Sequence, residues 1–208
     1  MDEELQAQGI RGLLHRPESW NGDAIALTHG AGSNSHTPLL VGLANALSDR
    51  GYLVLRYDLP FRVERPKGGP FPGVGVRDRQ GIVLAMTVLR SMTRGHIIAG
   101  GHSYGGRQTT MAAAEHAGIA DALLLLAYPL RPPKRPDQIR TAHFPQLRTP
   151  SLFVHGTSDP FGSVAEVREA LELIPARTDL LAVEGTGHDL KRAADLSAEI
   201  VTRLRALL

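Results

Sequence analysis

The chain has 208 residues, 42% hydrophobic and 21% charged, with 23 Lys and Arg against 21 Asp and Glu. That length suits a single domain, residues 1–208, burying roughly 70% of the surface its unfolded chain exposes. The net charge of +2 is too small to argue for a nucleic-acid partner, and the absence of cysteine excludes disulfides, thiolate zinc sites and a cysteine nucleophile. No apolar run approaches the ~20 residues that span a bilayer. The acidic start Asp2-Glu3-Glu4 lacks the apolar core of a secretory signal. The expectation is therefore a cytoplasmic protein without a membrane partner.

In chain order, Ile10–His15 and Ala24–Thr28 read as strands. Leu39–Arg50 carries Leu39, Leu40, Leu43, Ala44 and Leu47 on one helical stripe, with Gly51 as its stop. Tyr52–Arg56 is the next strand, and Val76–Thr93 the next helix. Then come strand Ile97–Gly100, helix Tyr104–Ala117 and strand Ala122–Ala127. Strand Ser151–Val154, helix Val164–Leu173, strand Asp179–Val183 and helix Leu190–Leu207 complete the chain. Short apolar strands alternating with amphipathic helices predict an α/β fold with a mostly parallel central sheet and helices on both faces.

Two segments interrupt the alternation. Residues 58–75 contain Pro60, Pro66, Pro70 and Pro72; residues 129–150 contain Pro129, Pro132, Pro133, Pro136, Pro145 and Pro150. Proline removes a backbone donor and fixes φ, so neither segment is expected to form an ordinary helix or central strand. Each follows a strand, which puts it at the carboxyl edge of the sheet, where ligands bind. Both are expected to roof a site; plain surface connections are the alternative.

The chemistry concentrates in Gly100-Gly101-His102-Ser103-Tyr104-Gly105-Gly106-Arg107, between a buried strand and a helix. Gly101-x-Ser103-x-Gly105 has the form of a nucleophile elbow, a strained turn that lifts a serine above the sheet. A serine hydroxyl needs a base, and the base needs an orienting acid. Asp159 follows one later strand, in His155-Gly156-Thr157-Ser158-Asp159-Pro160, and His188 follows the next, in Gly185-Thr186-Gly187-His188. The roles would be nucleophile for Ser103, general base then acid for His188, and imidazole orientation for Asp159. Backbone amides of Ala31, in His29-Gly30-Ala31-Gly32, and of Tyr104 are the candidate oxyanion donors.

These four elements, in the order Ser, Asp, His after an early His-Gly-Ala-Gly loop, resemble the α/β-hydrolase superfamily from Thr28 to Asp189. Gly100–Arg107 and Tyr57-Asp58-Leu59-Pro60-Phe61 look like the small dienelactone-hydrolase-like group, in particular its KANL/Tex branch. The resemblance implies a three-layer α/β-hydrolase fold without a full cap domain, no cofactor and no metal. It also implies a serine hydrolase acting on a small-molecule ester or thioester. Dienelactone hydrolases use a cysteine nucleophile that this chain lacks, so their substrate does not carry over. Two other functions stay open: a non-catalytic hydrolase-fold module that binds a partner, and a perhydrolase-like activity of the same residues.

Other residues admit plainer readings. Asp121 and Asp137 also lie between Ser103 and His188, but one begins a strand and the other sits in the proline-rich segment. Asp189 is expected to cap the last helix. His29 and His155 are expected to pin backbone at strand ends. His29, His36, His102 and His155 have no metal-ligand spacing. Arg107 is expected to tie its helix to the sheet through a buried carboxylate, with an anionic substrate as the alternative. Arg62, Arg65, Lys67, Arg131, Lys134, Arg135 and Arg140 outnumber Glu64 and Asp137 in the two segments. They read as a solvated face, or as a preference for carboxylate- or phosphate-bearing substrates.

Overall fold

The central strands alternate residue by residue between two apolar cores, and this alternation sets the architecture. Ala24, Ala26, Leu53, Leu55, Ile97, Ala99, Leu123, Leu125 and Phe153 face one core. Ile25, Leu27, Val54, Ile98, Leu124, Leu126, Leu152 and Val154 face the other. A sheet buried on both faces needs helices on both, and near-continuous apolar strands are the result. The computed structural model describes residues 2–7, 9–132, 135 and 137–208. Pro133, Lys134 and Pro136 lie outside these described residues.

The strands are β1 (Asp2–Ala7), β2 (Ile10–His15), β3 (Ala24–Thr28), β4 (Leu53–Tyr57), β5 (Ile97–His102), β6 (Ala122–Leu126), β7 (Ser151–Gly156) and β8 (Thr178–Val183). They form one open eight-stranded sheet in the order β1-β2-β4-β3-β5-β6-β7-β8. The β1–β2 and β2–β4 pairs are antiparallel, and all later pairs are parallel. Helices α1 (Pro38–Ser48) and α6 (Ser197–Leu207) cover one face. The other is covered by α3 (Gly75–Met92), α4 (Tyr104–Glu115) and α5 (Val164–Leu171), together with Phe61 of the short α2 (Pro60–Glu64). No cap sits over the sheet among the described residues.

The strand order places the site. From β3 the chain moves outward to β4, then returns past β3 to β5. The reversal opens a crevice at the carboxyl ends of β3 and β5. Thr28 pairs with Gly101, so the loop leaving β3 and the turn leaving β5 are neighbours.

Three expectations change. β1 escapes sequence detection because Asp2-Glu3-Glu4-Leu5-Gln6-Ala7 is polar, as suits an edge strand that must not recruit another chain. The segment 58–75 does contain a helix, α2. Pro60 occupies its first position, where no N–H is needed and φ is already helical. The last helix starts at Ser197 rather than Leu190: Leu190 has φ +45°, and a 3-10 turn at Ala194–Leu196 intervenes. Leu190 and Ala193 are buried in the same core as Ile200 and Leu204, which is why they mimic a continuous helical stripe.

Leu124 is fully buried on the α1/α6 side of β6. Leu124→Ala is expected to lower unfolding stability by about 2–5 kcal/mol, the usual cost of such a cavity, measurable by urea denaturation.

Candidate active site

At Ser103 the backbone takes φ 52° and ψ −114°, outside the wells open to an L-residue. The turn holds because its neighbours leave no slack. The Ser103 N–H donates to Leu126 O at 2.8 Å, and the Gly105 N–H donates to His29 O at 3.1 Å. A Cβ on Gly101 would lie 2.7 Å from the Gly106 nitrogen, and one on Gly105 would lie 2.5 Å from His29 O. The first glycine lets α4 descend onto its own strand. The second lets the helix start press against the end of β3.

The partners arrive from β7 and β8. His188 Nε2 is 2.7 Å from Ser103 Oγ, and His188 Nδ1 is 2.8 Å from Asp159 Oδ2. A carboxylate only accepts, so Nδ1 carries the proton. The Nε2 lone pair then faces the serine hydroxyl. The Asp159 side chain has no exposed surface, and its other oxygen accepts the Phe161 N–H at 2.9 Å. The Phe161 ring packs edge-on against His188, with centroids 4.5 Å apart. Gly156 lets the two loops touch: a Cβ there would meet Thr186 O at 2.4 Å and Gly187 O at 2.5 Å.

None of the competing acids reaches His188. Asp121 accepts from Arg90 and from the Ile97 N–H at the opposite edge of the sheet. Asp137 is exposed in its loop. Asp189 is exposed, 3.3 Å from Lys191, and caps nothing because α6 begins eight residues later.

The loop after β3 lies against the turn: a Cβ on Gly30 would sit 3.5 Å from Ser103 Cβ. The Ala31 and Tyr104 amides have no protein acceptor among the described residues. Both are available to a ligand oxygen. What holds this loop is Arg62, expected on a solvated face but only 5% exposed. Its guanidinium donates to Ser33 O at 2.7 Å, Ala31 O at 3.2 Å, Arg65 O at 2.9 Å and Gly68 O at 2.7 Å. One planar cation thus ties the 58–75 segment to the candidate oxyanion loop. Sequence carries no signal for this, because carbonyls contributed by the backbone look like any others.

The histidines act as tethers. His29 donates through Nδ1 to Gly30 O at 2.9 Å and accepts the Leu59 N–H at Nε2, 3.1 Å away. Burial, the main cause, lowers its pKa. His155 donates to Gly162 O at 2.7 Å. His102 sits inside the motif itself. Its Nε2 donates to the His188 backbone carbonyl at 2.7 Å, pulling the loop after β8 back toward β5. Burial above all brings the His102 pKa down to about 4. His36 is exposed and stays outside the cluster. Among the described residues, no group of three or more His, Asp or Glu is arranged to hold a metal ion. Asp78, fully buried on α3, accepts Tyr104 OH at 2.6 Å and the Phe61 N–H at 3.0 Å, clamping the residue after Ser103 to the start of α2.

Arg107 departs from its expected role. It has no carboxylate partner among the described residues, and its buried Nε has no acceptor.

A doubly covered, mostly parallel sheet with a strained serine at the end of β5, and acid and histidine loops after β7 and β8, defines an α/β hydrolase. The chain belongs to the alpha/beta hydrolase domain family, whose model matches residues 21–200. It is 28% identical over 188 residues to a rat protein named "Putative protein-lysine deacylase ABHD14B", covering 88% of this chain and 85% of that one. Its fold is similar to a serine hydrolase homologue from Coxiella burnetii, with TM-score 0.77, 17% identity, and 98% and 97% of the two chains covered. A dienelactone hydrolase from Anabaena variabilis is similarly alike, with TM-score 0.75, 21% identity, and 98% and 95% covered.

Two outcomes follow from the tethers. In the unfolded chain His102 takes up a proton near pH 6.5, but in the folded chain only near 4. Between these values the unfolded state binds more protons, so stability falls as pH drops from about 6.5 to about 4. Melting temperatures of wild type and His102→Gln between pH 7 and pH 4 should show a shallower decline in the variant, which cannot titrate. Arg62→Met leaves four carbonyls without their donor and should lower the melting temperature by at least about 5 °C in a thermal scan.

Proposed function

We propose that this α/β hydrolase uses Ser103 to cleave a small ester or thioester through an acyl-serine intermediate. The reading is carried by the hydrogen-bonded chain Ser103–His188–Asp159, at 2.7 and 2.8 Å, beside two amides with no protein acceptor. Ser103 Oγ bonds to the substrate carbonyl carbon while its proton passes to His188 Nε2. Asp159 stabilises the imidazolium through Nδ1–H. The Ala31 and Tyr104 amides donate to the oxygen that gains charge, an effect worth about 3–4 kcal/mol per donor in comparable sites. The carbon–oxygen or carbon–sulfur bond then breaks, and the leaving group takes the Nε2 proton. Water repeats the sequence: it gives a proton to His188 and bonds to the acyl carbon, and as the acyl–oxygen bond breaks, Ser103 Oγ takes that proton back from Nε2.

The open sheet edge favours short acyl groups, because no cap among the described residues encloses a long chain. The similarity to the rat protein makes an acylated amine a second substrate class for the same acyl-serine chemistry. The three side chains need no metal or organic cofactor for any of these steps.

A fluorophosphonate probe is expected to label wild type and not Ser103→Ala. Equal labelling would remove Ser103 from its role. On 4-nitrophenyl esters, kcat/KM should fall as the acyl chain lengthens beyond a few carbons. Asp159→Asn should lower kcat by about 10,000-fold, since the amide favours the wrong imidazole tautomer. A folded protein without serine-dependent turnover on any ester would instead support a binding module.

A further inference from the structure

Most cationic side chains that are withdrawn from water here are matched. Arg62 has its carbonyls, Arg79 has Glu115 and Arg131 has Glu166. Arg107 on α4 and Arg140 in the 129–150 segment are both partly buried, and neither has a carboxylate partner among the described residues. They line one groove of about 660 Å³, together with Arg135, His143, Met111 and Ile139. Among the described residues, no acidic side chain lines it. Glu115, on the same helix, is already held by Arg79 at 2.7 Å, and Asp137 is exposed outside the lining.

Like charges gathered without a counterion are unfavourable in an empty groove, and an anion turns that cost into binding energy. After burial, the Arg107 charge is the next cause that lowers the Arg140 pKa. The groove is also preset. The Arg140 N–H donates to Leu130 O at 2.9 Å, and its carbonyl accepts Tyr128 OH at 2.6 Å. His143 Nε2 lies 2.8 Å from Thr110 Oγ1, which itself donates to Arg107 O.

The groove is tied to the serine turn through α4. Arg107 follows Ser103 by four residues, one helical turn or about 6 Å of rise. Helical side chains lean toward the preceding turn, which for Arg107 is the one that begins at Ser103 and Tyr104. Its charge acts on Tyr104, next to Ser103, as well as on Tyr128 and His143. Met111 and Ile139 supply apolar surface for a few methylenes.

We propose that the groove between α4 and the 129–150 segment is an anion-binding subsite, in which Arg107 and Arg140 hold a carboxylate or phosphate at the far end of the substrate's acyl chain. Arginine suits either anion because its planar donors match two oxygens at once. The proposal rests on the serine-hydrolase reading above for its connection to catalysis, but the binding of the anion is separable from it.

The test compares kcat/KM for 4-nitrophenyl butyrate and mono-4-nitrophenyl glutarate, a neutral acyl chain and one ending in a carboxylate. Wild type is expected to favour the glutarate ester by at least about 10-fold, the lower end for a charge-assisted hydrogen bond. Arg107→Gln and Arg140→Gln should each bring the ratio close to one. Arg94→Gln, which removes an exposed charge between α3 and β5, should keep it. A wild-type ratio near one, or a ratio unchanged in both groove variants, overturns the proposal.

Calorimetric titration of glutarate and of inorganic phosphate into Ser103→Ala separates the two anions. The one that binds, and stops binding when Arg140→Gln is added, is the group the groove takes. Heat from neither overturns the subsite. If no ester is turned over while an anion binds in this manner, the serine-hydrolase reading fails and the subsite stands. Arg140 lies in a surface segment, so its variant reports on the groove even if Arg107→Gln unfolds.

Discussion

The backbone at Ser103 is the constraint around which the structure is arranged. An L-residue at φ 52° and ψ −114° costs of the order of 1–3 kcal/mol and persists only where its surroundings over-determine it. Here the surroundings are a strand, a helix and a neighbouring strand end pressed together through glycines 101, 105 and 106. The Ser103 N–H is held by β6, and the Gly105 N–H by the end of β3. Because the same contacts join β3 to the turn, the candidate oxyanion loop and the serine cannot move independently. The strain at one residue and the placement of the second loop are one piece of geometry.

A second theme is how the fold keeps charge away from water. His29, His102 and His155 serve as hydrogen-bond tethers. Arg62 spends its guanidinium on four carbonyls, which lets a cation sit 5% exposed without a carboxylate. Asp78 is satisfied by a tyrosine hydroxyl and a backbone amide. Each links a segment near Ser103 to a rigid neighbour, so the polar interior is concentrated where precise placement matters most. Against this economy, Arg107 and Arg140 of the α4 groove have no carboxylate partner among the described residues.

Much of this was legible in the residues. Short apolar runs located seven of the eight strands, because strands buried on both faces are apolar almost throughout. β1 was not legible, since a polar edge strand has the composition of a loop. The start of α6 was misread because Leu190 and Ala193 join its core without being helical. Proline at 60 argued against a helix by a rule that holds for helix interiors and fails at a first position. Asp159 could be preferred over Asp121, which begins a strand, over Asp137, in the proline-rich segment, and over Asp189, whose place next to His188 keeps it from bending back to the imidazole. The contact with His188 at 2.8 Å depends on two loops crossing over Gly156.

By itself, the sequence determined the α/β class, the strained serine turn and the order in which serine, acid and histidine follow one another. These are local properties: apolar period, glycine spacing and residue type. Tertiary structure alone decided how the distant loops meet. His188 leaves β8, three strands away from β5, and reaches Ser103 because His102 holds its carbonyl and Phe161 packs on its ring. Arg62 and Arg107, each written as arginine beside a motif, received opposite fates: one enclosed by carbonyls, the other without a counter-charge among the described residues. A side chain's charge is encoded in its residue; what surrounds it is set by segments that come together only on folding.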